Sequence, residues 1–378
     1  MNILLIGGSG IISGEITNRS IEQGYTVTIL NRGKRPVNPA AKTIIADVRK
    51  DSIDVLSNKI DNCYDVVVDF ISYNPSQLKK SLEVFGTKCT QYIFVSSATA
   101  YKTTNGIISE KTPLKNDVWD YAQNKIECED YLQKNYRTYC EHYTIIRPYI
   151  TYDKTRVPYQ FAPAEYYTII NRCQLGKPLP IYGGEVKCTL TSAKDFAVAT
   201  TGLFLNDRAY EEDFHITSNY VATWRHIGEV IAQSAGVTAT FVDIPEVLMR
   251  KSNGALGFSR DEIVGDKGRS MVFDNSKIQG AVPQFEGNIG FEEGVQDIFE
   301  YYKGGKRKIN FAWDARIDAF ISRASKITGV LVDKEKLSLK SYDNVALTSR
   351  DKIIYTIHRY DIPYTIFRIL KKLLRRNI

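Results

Sequence analysis

The stretch "NILLIGGSGIISGEI" (residues 2–16) decides the fold. It begins with an apolar run that has the length of a buried β-strand, and glycines follow it at once. Gly7, Gly10 and Ser13 have the spacing GxxGxxS at the start of a helical pattern that runs to about Gln23. A glycine at the first position permits a tight turn, and one at the second lets the backbone approach a pyrophosphate on the helix N-terminus. We therefore expect a dinucleotide site; the alternative is a glycine-rich turn without a ligand.

Short apolar runs alternate with amphipathic helices along the next 80 or so residues. The runs are TVTIL (26–30), TIIA (43–46), DVVVDF (65–70) and YIFVSS (92–97), with the helix SQLKKSLEVF between the last two. This alternation predicts a parallel sheet covered by helices on both faces. The expected fold class is α/β, a doubly wound parallel sheet of the Rossmann type. The first run lacks a basic segment and a cleavage site, which favours a buried strand over a signal peptide.

Composition narrows the class of protein further. The hydrophobic fraction of 43% and the charged fraction of 25% are ordinary for a soluble globular chain. No segment reaches the ~18 apolar residues that a membrane span needs. The six cysteines form no CxxC pair and the four histidines are scattered, so we expect no metal site and reduced thiols in a cytoplasm.

Residues at the ends of the second and third strands are candidates for binding the adenosine half of a dinucleotide. Asn31 and Arg32 end the second strand, and Lys34 and Arg35 follow. An arginine there suits a 2′-phosphate, whereas an acidic residue would bind a 2′-hydroxyl, so the expected cofactor is NAD or NADP, with a lean to NADP. An exposed basic loop is the alternative. Asp47 ends the third strand, where its carboxylate would accept a hydrogen bond from the adenine amino group.

Tyr121 and Lys125 form a candidate proton-transfer pair in the stretch DYAQNKIECEDYL. Residues four apart lie on one face of a helix, and a nearby ammonium stabilises a phenolate, so such a tyrosine can shuttle a proton. The pair follows the strand YIFVSS, and open parallel sheets bind ligands at the carboxyl ends of their strands. Since the spacing is common by chance, an ordinary solvated helix face is the alternative.

Several segments, in order, resemble the extended short-chain dehydrogenases/reductases of the NAD-dependent epimerase/dehydratase family. They are GGSGIIS, ADVRKD, FVSSATAY, YAQNK, IIRPYITY, SAKDFA and FDNSKI, within residues 1 to about 302. The resemblance implies that Tyr121 is the catalytic acid/base, that Lys125 holds the nicotinamide ribose and favours the phenolate, and that Ser97 hydrogen-bonds the reacting oxygen. The expected cofactor-binding residues are Gly7, Ser9, Gly10, Ile11, Ile12, Asn31, Arg32, Asp47, Val48, Phe70, Ile71, Ser72, Ser96, Tyr121, Lys125 and Pro148.

The same resemblance implies reversible hydride transfer at a carbinol of a nucleotide-activated sugar, by an epimerase or an oxidoreductase. Ala98 and Thr99 follow Ser97, where sugar 4,6-dehydratases of this family place Asp-Glu, so dehydration is not expected. The positions at which sugar-nucleotide epimerases carry diphosphate-binding arginines are not arginine here. Nearby cations either take over that role or are solvated surface charges. They are Lys187, Arg260, Lys267 and Arg269.

A second class of function stays open. The segments LNRG, VVDFISY, TWRHIGEVIAQSAG and GDKGRSMVFDNSKI resemble bacterial epimerase-like proteins and also the chloroplast stem-loop RNA-binding proteins. A catalytically weak or inactive Rossmann protein that binds RNA is therefore the alternative. That group tends to lack an intact Ser–Tyr–Lys set. Residues 350–378 carry eight Lys and Arg against two Asp, most of the net charge of +7. The nearly neutral body is poorly suited to phosphate-dominated RNA affinity, so nucleic acid is not an expected partner.

Extended members of the family interleave two regions, and a third follows here. We expect a cofactor domain at 1–155 and about 188–217, a substrate lobe at 156–187 and 218–302, and a C-terminal helical extension at 303–378. Residues 363–378 place apolar side chains on one helix face and basic ones on the other. We favour a C-terminal helix docked on its own domain; a helix on a membrane surface is the alternative. The expected partner is a nucleotide-sugar substrate in the cytoplasm, and a second copy in a homodimer and a membrane contact through 363–378 are further candidates.

Overall fold

The structure, a computed structural model, describes residues 1–60, 62–251, 259–305, 307–343 and 345–360. The amphipathic helix expected at 363–378 lies outside these residues. No helix within the described ranges is long and apolar enough to cross a membrane.

The strands and helices alternate along the first half of the chain, as the apolar runs predicted. The strands are β1 (Asn2–Ile6), β2 (Thr26–Asn31), β3 (Lys42–Ile45), β4 (Tyr64–Asp69), β5 (Cys89–Val95), β6 (His142–Pro148), β7 (Thr151–Tyr152), β8 (Leu179–Ile181), β9 (Lys187–Thr189), β10 (Thr191–Ser192), β11 (Glu212–Ile216), β12 (Val221–Thr223) and β13 (Phe241–Asp243). The helices are α1 (Ile11–Glu22), α2 (Ile53–Ser57), α3 (Pro75–Phe85), α4 (Asp120–Asn135), α5 (Tyr167–Gln174), α6 (Ala193–Gly202), α7 (Trp224–Ser234), α8 (Glu246–Lys251), α9 (Arg260–Glu262), α10 (Ser276–Ala281), α11 (Phe291–Lys303), α12 (Phe311–Thr328) and α13 (Ser349–Arg359).

The central sheet has seven strands in the order β11-β6-β5-β4-β1-β2-β3, and all of its pairings are parallel. In the middle, Ile3 of β1 lies opposite Val27 on one side and Val66 on the other. Strand order reverses between β1 and β4, because the chain runs outward from β1 through β2 to β3 and then returns to the other side of β1. The doubly wound α/β fold class is therefore confirmed.

Alternate residues of each central strand enter two separate cores. Ile3 and Leu5 pack in a core that includes Ile16 of α1 and Phe196 of α6. On the opposite face, Leu4 and Ile6 belong to a core shared with side chains of α3 and α4. Because both faces are covered, nearly every residue of a strand such as β1 or β4 is buried. This explains why these strands appear in the sequence as continuous apolar runs.

The chain forms two compact units. The first, the cofactor unit, comprises Met1–Arg156, Lys187–Ala222 and Arg269–Gly294. The second unit comprises Val157–Val186, Thr223–Gly268 and the described part of Val295–Ile378. These boundaries differ from the expected ones at residues 218–222 and 269–294, which we expect in the substrate lobe, and at the described residues of the extension from 303 to 360, which group with the second unit.

Residues 269–294 belong to the cofactor unit because they complete one of its cores. Ile278 of α10, Val282 and Phe285 are buried in the core that contains Phe196. The segment before α10 also pairs with the loop after β5, where the Ile108 amide donates to the Val272 carbonyl at 2.8 Å. The sequence of this segment shows that it has an apolar face, but not that this face packs in the core of the cofactor unit.

A buried ion cluster joins the extension to the rest of the second unit. Arg172 of α5 donates through Nη1 to Asp314 Oδ1 at 2.6 Å and to Asp318 Oδ1 at 2.7 Å, both carboxylates being on α12. Lys177 bonds the other oxygens of the same carboxylates, at 2.6 Å from Asp318 Oδ2. The four side chains are at most 1% exposed. Two cations thus neutralise two carboxylates at a site buried from solvent.

Two phenols complete the cluster from the far end of the extension. Tyr342 donates to Asp314 Oδ2 at 2.6 Å, and Tyr355 of α13 donates to Asp318 Oδ2. The ammonium of Lys177 lies 4.8 Å from the ring centre of Tyr342 and 5.3 Å from that of Tyr355. Each carboxylate therefore has both a cationic and a hydroxyl donor, which is what buried charges require for stability. The described part of the extension, up to residue 360, is a structural part of the second unit.

Removing one cation of this cluster should destabilise the protein strongly. Lys177→Met leaves Asp314 and Asp318 with only one cation, and breaking a buried pair costs about 3–5 kcal/mol. Urea unfolding followed by circular dichroism would measure the loss. Lys303→Met is the matched control, since Lys303 pairs with Glu300 at an exposed site, and it should leave the unfolding midpoint nearly unchanged. Equal midpoints for the two variants would contradict the stabilising role of the cluster.

Candidate functional site

In the glycine turn after β1, Gly7 has a backbone conformation and a close neighbour that exclude a side chain, and Ser13 bonds the backbone on both sides of the turn. Gly7 has a φ of +93°, and a Cβ atom there would lie 2.4 Å from Ile71 Cγ2. The Ser13 hydroxyl accepts from the Gly10 amide at 2.7 Å and donates to the Gly7 carbonyl at 3.3 Å. A Cβ atom at Gly10 would meet only this hydroxyl, at 3.2 Å, among described atoms within 4 Å. The fold therefore requires glycine at 7, whereas glycine at 10 leaves space beside the helix N-terminus.

A cleft of about 420 Å³ lies at the carboxyl ends of the central strands. It includes the point between β1 and β4 where the strand order reverses, which is the usual ligand position in such sheets. The expected cofactor-binding residues that line it are Gly7, Ser9, Gly10, Ile12, Asn31, Arg32, Asp47, Val48, Phe70, Ile71, Ser96, Tyr121, Lys125 and Pro148. Ile11, Ser72 and Ser97 are not among the lining residues.

The cleft is strongly positive. The cations that line it are Arg32, Lys34, Arg35, Arg49 and Lys125, and Asp47 is the carboxylate among the lining residues. The pyrophosphate of a dinucleotide would enter this field with its two negative charges, and the first turn of α1 presents amides that the helix itself does not bond. Charge and backbone donors thus fit an anionic dinucleotide.

Asn31 provides a second sign that a ligand belongs in the cleft. Its Oδ1 accepts from the Gly33 amide at 2.7 Å. Its Nδ2 is buried and has no hydrogen-bond partner among the described residues. A buried donor left unpaired costs roughly 1–3 kcal/mol, so an oxygen of a bound ligand would satisfy it. The adenosine ribose, which binds at the end of β2 in folds of this kind, carries such oxygens.

Lys125 is buried in the wall of the cleft, where its ammonium is held by the end of β5 and by the loop after β4. Its ammonium donates to the carbonyls of Ser72 and Val95, each at 2.8 Å. The Ser72 hydroxyl donates to Asp69 Oδ2 at 2.6 Å, which fixes the loop after β4. Burial lowers the pKa of Lys125 to about 8, although the nearby carboxylate of Asp69 opposes the shift. Ser72, expected to contact the cofactor, therefore acts here through its backbone as a support for Lys125.

Two aromatic rings lie beside Tyr121, the candidate proton-transfer residue. The ring centre of Tyr121 lies 4.7 Å from that of Trp119 and 6.1 Å from that of Tyr73. The Lys125 ammonium lies 5.9 Å from the Tyr121 ring centre and 5.0 Å from that of Tyr73. Arg49 also stacks on Tyr73, with its guanidinium carbon 4.6 Å from the centre of the Tyr73 ring. Two lining residues, Tyr73 and Arg49, were not expected, although both closely follow strand ends.

Ser97 has a different environment from the neighbouring Ser96. It is buried, and its Oγ accepts from the Thr99 hydroxyl at 3.0 Å and from the Thr99 amide at 3.3 Å. Both donors use the acceptor capacity of Ser97, so its own hydroxyl hydrogen remains to donate. Ser96 lines the cleft, and its hydroxyl donates to Glu129.

Two of the cations considered for diphosphate binding are buried and bonded to the chain. Arg269 donates to the carbonyls of Thr99 at 3.0 Å and Tyr101 at 3.1 Å. Lys267, in the second unit, pairs with Glu262 at 2.5 Å. Neither is a solvated surface charge, since each residue is 9% exposed. The bonds of Arg269 instead shape the loop that follows Ser97.

A family model described as "NAD dependent epimerase/dehydratase family" matches residues 3–216. The chain belongs to this family. The resemblance found in the sequence is thereby confirmed, together with the dinucleotide-binding Rossmann fold that goes with it. The match includes the glycine turn, the strand ends that line the cleft, and the helix with Tyr121 and Lys125.

Proteins similar to this chain are named either as a stem-loop binding protein or as sugar-nucleotide epimerases. The chloroplast stem-loop binding protein of 41 kDa b from Arabidopsis thaliana is 27% identical over 252 residues, 62% of this chain and 63% of that protein. A Methanocaldococcus jannaschii protein, provisionally named UDP-glucose 4-epimerase, is 27% identical over 337 residues, 81% of this chain and 99% of that protein. The UDP-glucuronic acid 4-epimerase of Bacillus cereus, solved in complex with NAD, has a TM-score of 0.62 at 17% identity, over 82% of this chain and 100% of that one. This structural likeness shows the fold alone.

Replacing Gly7 or Gly10 by alanine should affect different properties, namely stability in the first case and dinucleotide affinity in the second. Gly10→Ala should keep the melting temperature and weaken NAD binding at least about tenfold, or ~1.4 kcal/mol, because the methyl group occupies the space beside the helix N-terminus. Gly7→Ala should lower the melting temperature, since strain at a positive φ costs about 1–3 kcal/mol. Calorimetric titration and thermal melts would measure both. Unchanged NAD affinity in Gly10→Ala would show that no ligand approaches the turn there.

Proposed function

We propose that the protein is an NAD(P)-dependent enzyme that oxidises and reduces a carbinol of a nucleotide-activated sugar, as an epimerase or an oxidoreductase. The observation that carries this proposal is that Tyr121 and Lys125 line the same positive cleft as the glycine turn. Proton-transfer groups and dinucleotide-binding groups thus share one site. The names of the relatives support the substrate class, since two of them are UDP-sugar 4-epimerases by name.

Tyr121 would take the proton from the substrate hydroxyl and return one to the product. A bound nicotinamide dinucleotide would supply the hydride transfer. The Lys125 ammonium favours the phenolate that this exchange requires. Because two of its three donors are held by the carbonyls of Ser72 and Val95, its position is fixed, and the third donor remains for a ribose hydroxyl.

Ser97 would donate a hydrogen bond to the reacting oxygen of the substrate. Its lone pairs are engaged by Thr99, so its hydroxyl is oriented as a donor, which suits a carbonyl oxygen. The same arrangement disfavours a 4,6-dehydratase. Ala98 has no side-chain acid, and the Thr99 hydroxyl is already used by Ser97.

For the cofactor, the basic side chains at the end of β2 favour a 2′-phosphate. Arg32, Lys34 and Arg35 line the cleft together with Asn31, whose Nδ2 has no hydrogen-bond partner in the part of the chain that the structure describes. None of these four residues is a carboxylate that would accept from a 2′-hydroxyl. We therefore infer a preference for NADP over NAD within an NAD-dependent family. The carboxylate of Asp47 would accept from the adenine amino group.

RNA binding is the alternative function, supported by the name of the Arabidopsis relative. The cations of the cleft surround a pocket sized for a small ligand, whereas RNA affinity needs an extended row of phosphate contacts. The homodimer and the contact of 363–378 with a membrane surface stay predictions. Salt-resistant binding of stem-loop RNA by a protein that binds no dinucleotide would favour the alternative over the enzyme.

Removing one hydroxyl should abolish turnover. Tyr121→Phe should lower kcat on an active nucleotide sugar by about 10²–10⁴-fold, the usual contribution of a positioned acid/base, with cofactor affinity nearly unchanged. A panel of UDP-sugars, followed by nicotinamide absorbance and product stereochemistry, would provide the assay. Tyr73→Phe is the matched control, because it removes a phenol from the same cleft. If Tyr121→Phe kept most of the activity, the assignment of the acid/base would be wrong.

Cofactor choice should depend on Arg32. Parallel fluorescence titrations should give tighter binding of NADP than of NAD, and Arg32→Ala should remove most of that difference by losing a charge-assisted bond of about 1.5–3 kcal/mol. Lys50→Ala removes a charge from the neighbouring loop without touching the cleft lining, so it should keep the difference. Tighter binding of NAD by the unaltered protein would show that Asn31 determines the preference.

A further inference from the structure

Helix α4 carries three functional side chains along one face, at Tyr121, Lys125 and Glu129. Their spacing of four residues places them on successive turns. Lys125 donates to the carbonyl of Val95 at 2.8 Å, and the hydroxyl of Ser96 donates to Glu129 Oε1. Two consecutive residues at the end of β5 thus hold two successive turns of the helix that carries Tyr121.

Glu129 is itself fixed by a buried ion pair. It is 1% exposed and accepts from Arg147 of β6, with Nε at 2.9 Å from Oε1 and Nη2 at 2.5 Å from Oε2. A bidentate pair of this kind has a single geometry. The residue after Arg147 is Pro148, which lines the cleft. The pair therefore connects α4 to the ends of two adjacent strands, β5 and β6.

The far side of Arg147 is also bonded. Its Nη1 donates to the Tyr101 hydroxyl at 2.7 Å and to the carboxylate of Asp213. The ring of His215 lies beyond, with Nδ1 3.2 Å from the Tyr101 hydroxyl and Nε2 2.8 Å from the Asp274 carbonyl. Because a carbonyl only accepts, Nε2 carries the hydrogen and Nδ1 accepts from Tyr101. Burial lowers the pKa of His215 to about 4, so this order of bonds persists at neutral pH.

We propose that Glu129 is a positioning residue for the reaction. With Arg147 it fixes the rotation of α4 against the end of β5, and thereby holds Tyr121 and Lys125 at the cleft. It also takes the hydrogen of Ser96, so that the lone pairs of this hydroxyl remain for a ligand. The inference rests on the proposed function, because it assigns a role to a residue that supports Tyr121.

The charge of Glu129 also acts on Lys125. The charged groups around Lys125 that favour its protonated form are Asp69 after β4 and Glu129 on α4, whereas Arg49 after β3 disfavours it. Burial has already lowered the pKa of Lys125 to about 8. Loss of the Glu129 charge should lower this pKa further. Since the protonated form binds the cofactor, affinity should fall as pH rises through the pKa, at a lower pH in the variant.

The test compares Glu129→Gln with Glu127→Gln, an exposed glutamate on the same helix. NAD titrations between pH 6 and 9.5 should show affinity falling near pH 8 in the unaltered protein and in Glu127→Gln. The fall should occur at lower pH in Glu129→Gln, whose kcat should also drop at least about tenfold with KM for the sugar nearly unchanged. The same pH dependence in a folded Glu129→Gln, or unchanged kcat, would overturn the inference.

A second variant covers the case in which Glu129→Gln does not fold. The double variant Glu129→Leu with Arg147→Met removes both charges, and replacing a buried ion pair by apolar residues is often neutral for stability. Because a cation is removed together with the carboxylate, the pH profile should move little. Its kcat should fall at least about tenfold with KM nearly unchanged, since α4 loses its bonds to the ends of β5 and β6, and an unchanged kcat would overturn the inference. Tyr121→Phe, assayed in parallel, distinguishes failure of the positioning role from failure of the proposed function. If that variant is inactive while the Glu129 variants behave as the unaltered protein does, only the positioning role fails; if no dinucleotide binds to any protein, both fail.

Discussion

The ammonium of Lys125, buried between the carbonyls of Ser72 and Val95, is the interaction on which the rest of the site depends. It joins α4 to the ends of two neighbouring parallel strands, β4 and β5. A buried charge is expensive unless it is fully bonded, so the loop after β4 must present its carbonyl inward. That loop does so because Asp69 accepts from the Ile71 and Ser72 amides at 2.9 and 3.1 Å. The position of Tyr121, one turn earlier on α4, follows from this anchor.

The fold and most of the cleft were predictable from the sequence because they depend on local patterns. Continuous apolar runs indicate strands covered on both faces, and parallel strands bring their carboxyl ends to one edge. Residues such as Gly10, Asn31 and Asp47, which follow strand ends, therefore meet in space although they are far apart in the chain. Whether they bind a cofactor stays a prediction; what the structure adds is that they line one cleft.

The remaining features depend on side-chain pairing between distant segments, which no local pattern reveals. Glu129 and Arg147 are on different elements, and neither position differs in the sequence from an ordinary surface charge. The carboxylates of Asp314 and Asp318 have the spacing of an exposed helix face, yet their partner Arg172 lies more than 140 residues away. Residue type alone predicts that such charges are exposed. Only the folded arrangement shows that they neutralise each other within the protein.

The two buried ion networks have different physical consequences because they differ in what surrounds them. The cluster in the second unit is closed, since each carboxylate of Asp314 and Asp318 already has two cations and a phenol as donors. It stabilises the described part of the extension. The Glu129–Arg147 network ends at Ser96, which lines the cleft. A change of charge in this second network therefore alters the hydrogen bonding of Ser96, which lines the cleft. An ion pair of the same chemical type thus stabilises the fold in one unit and supports the candidate site in the other.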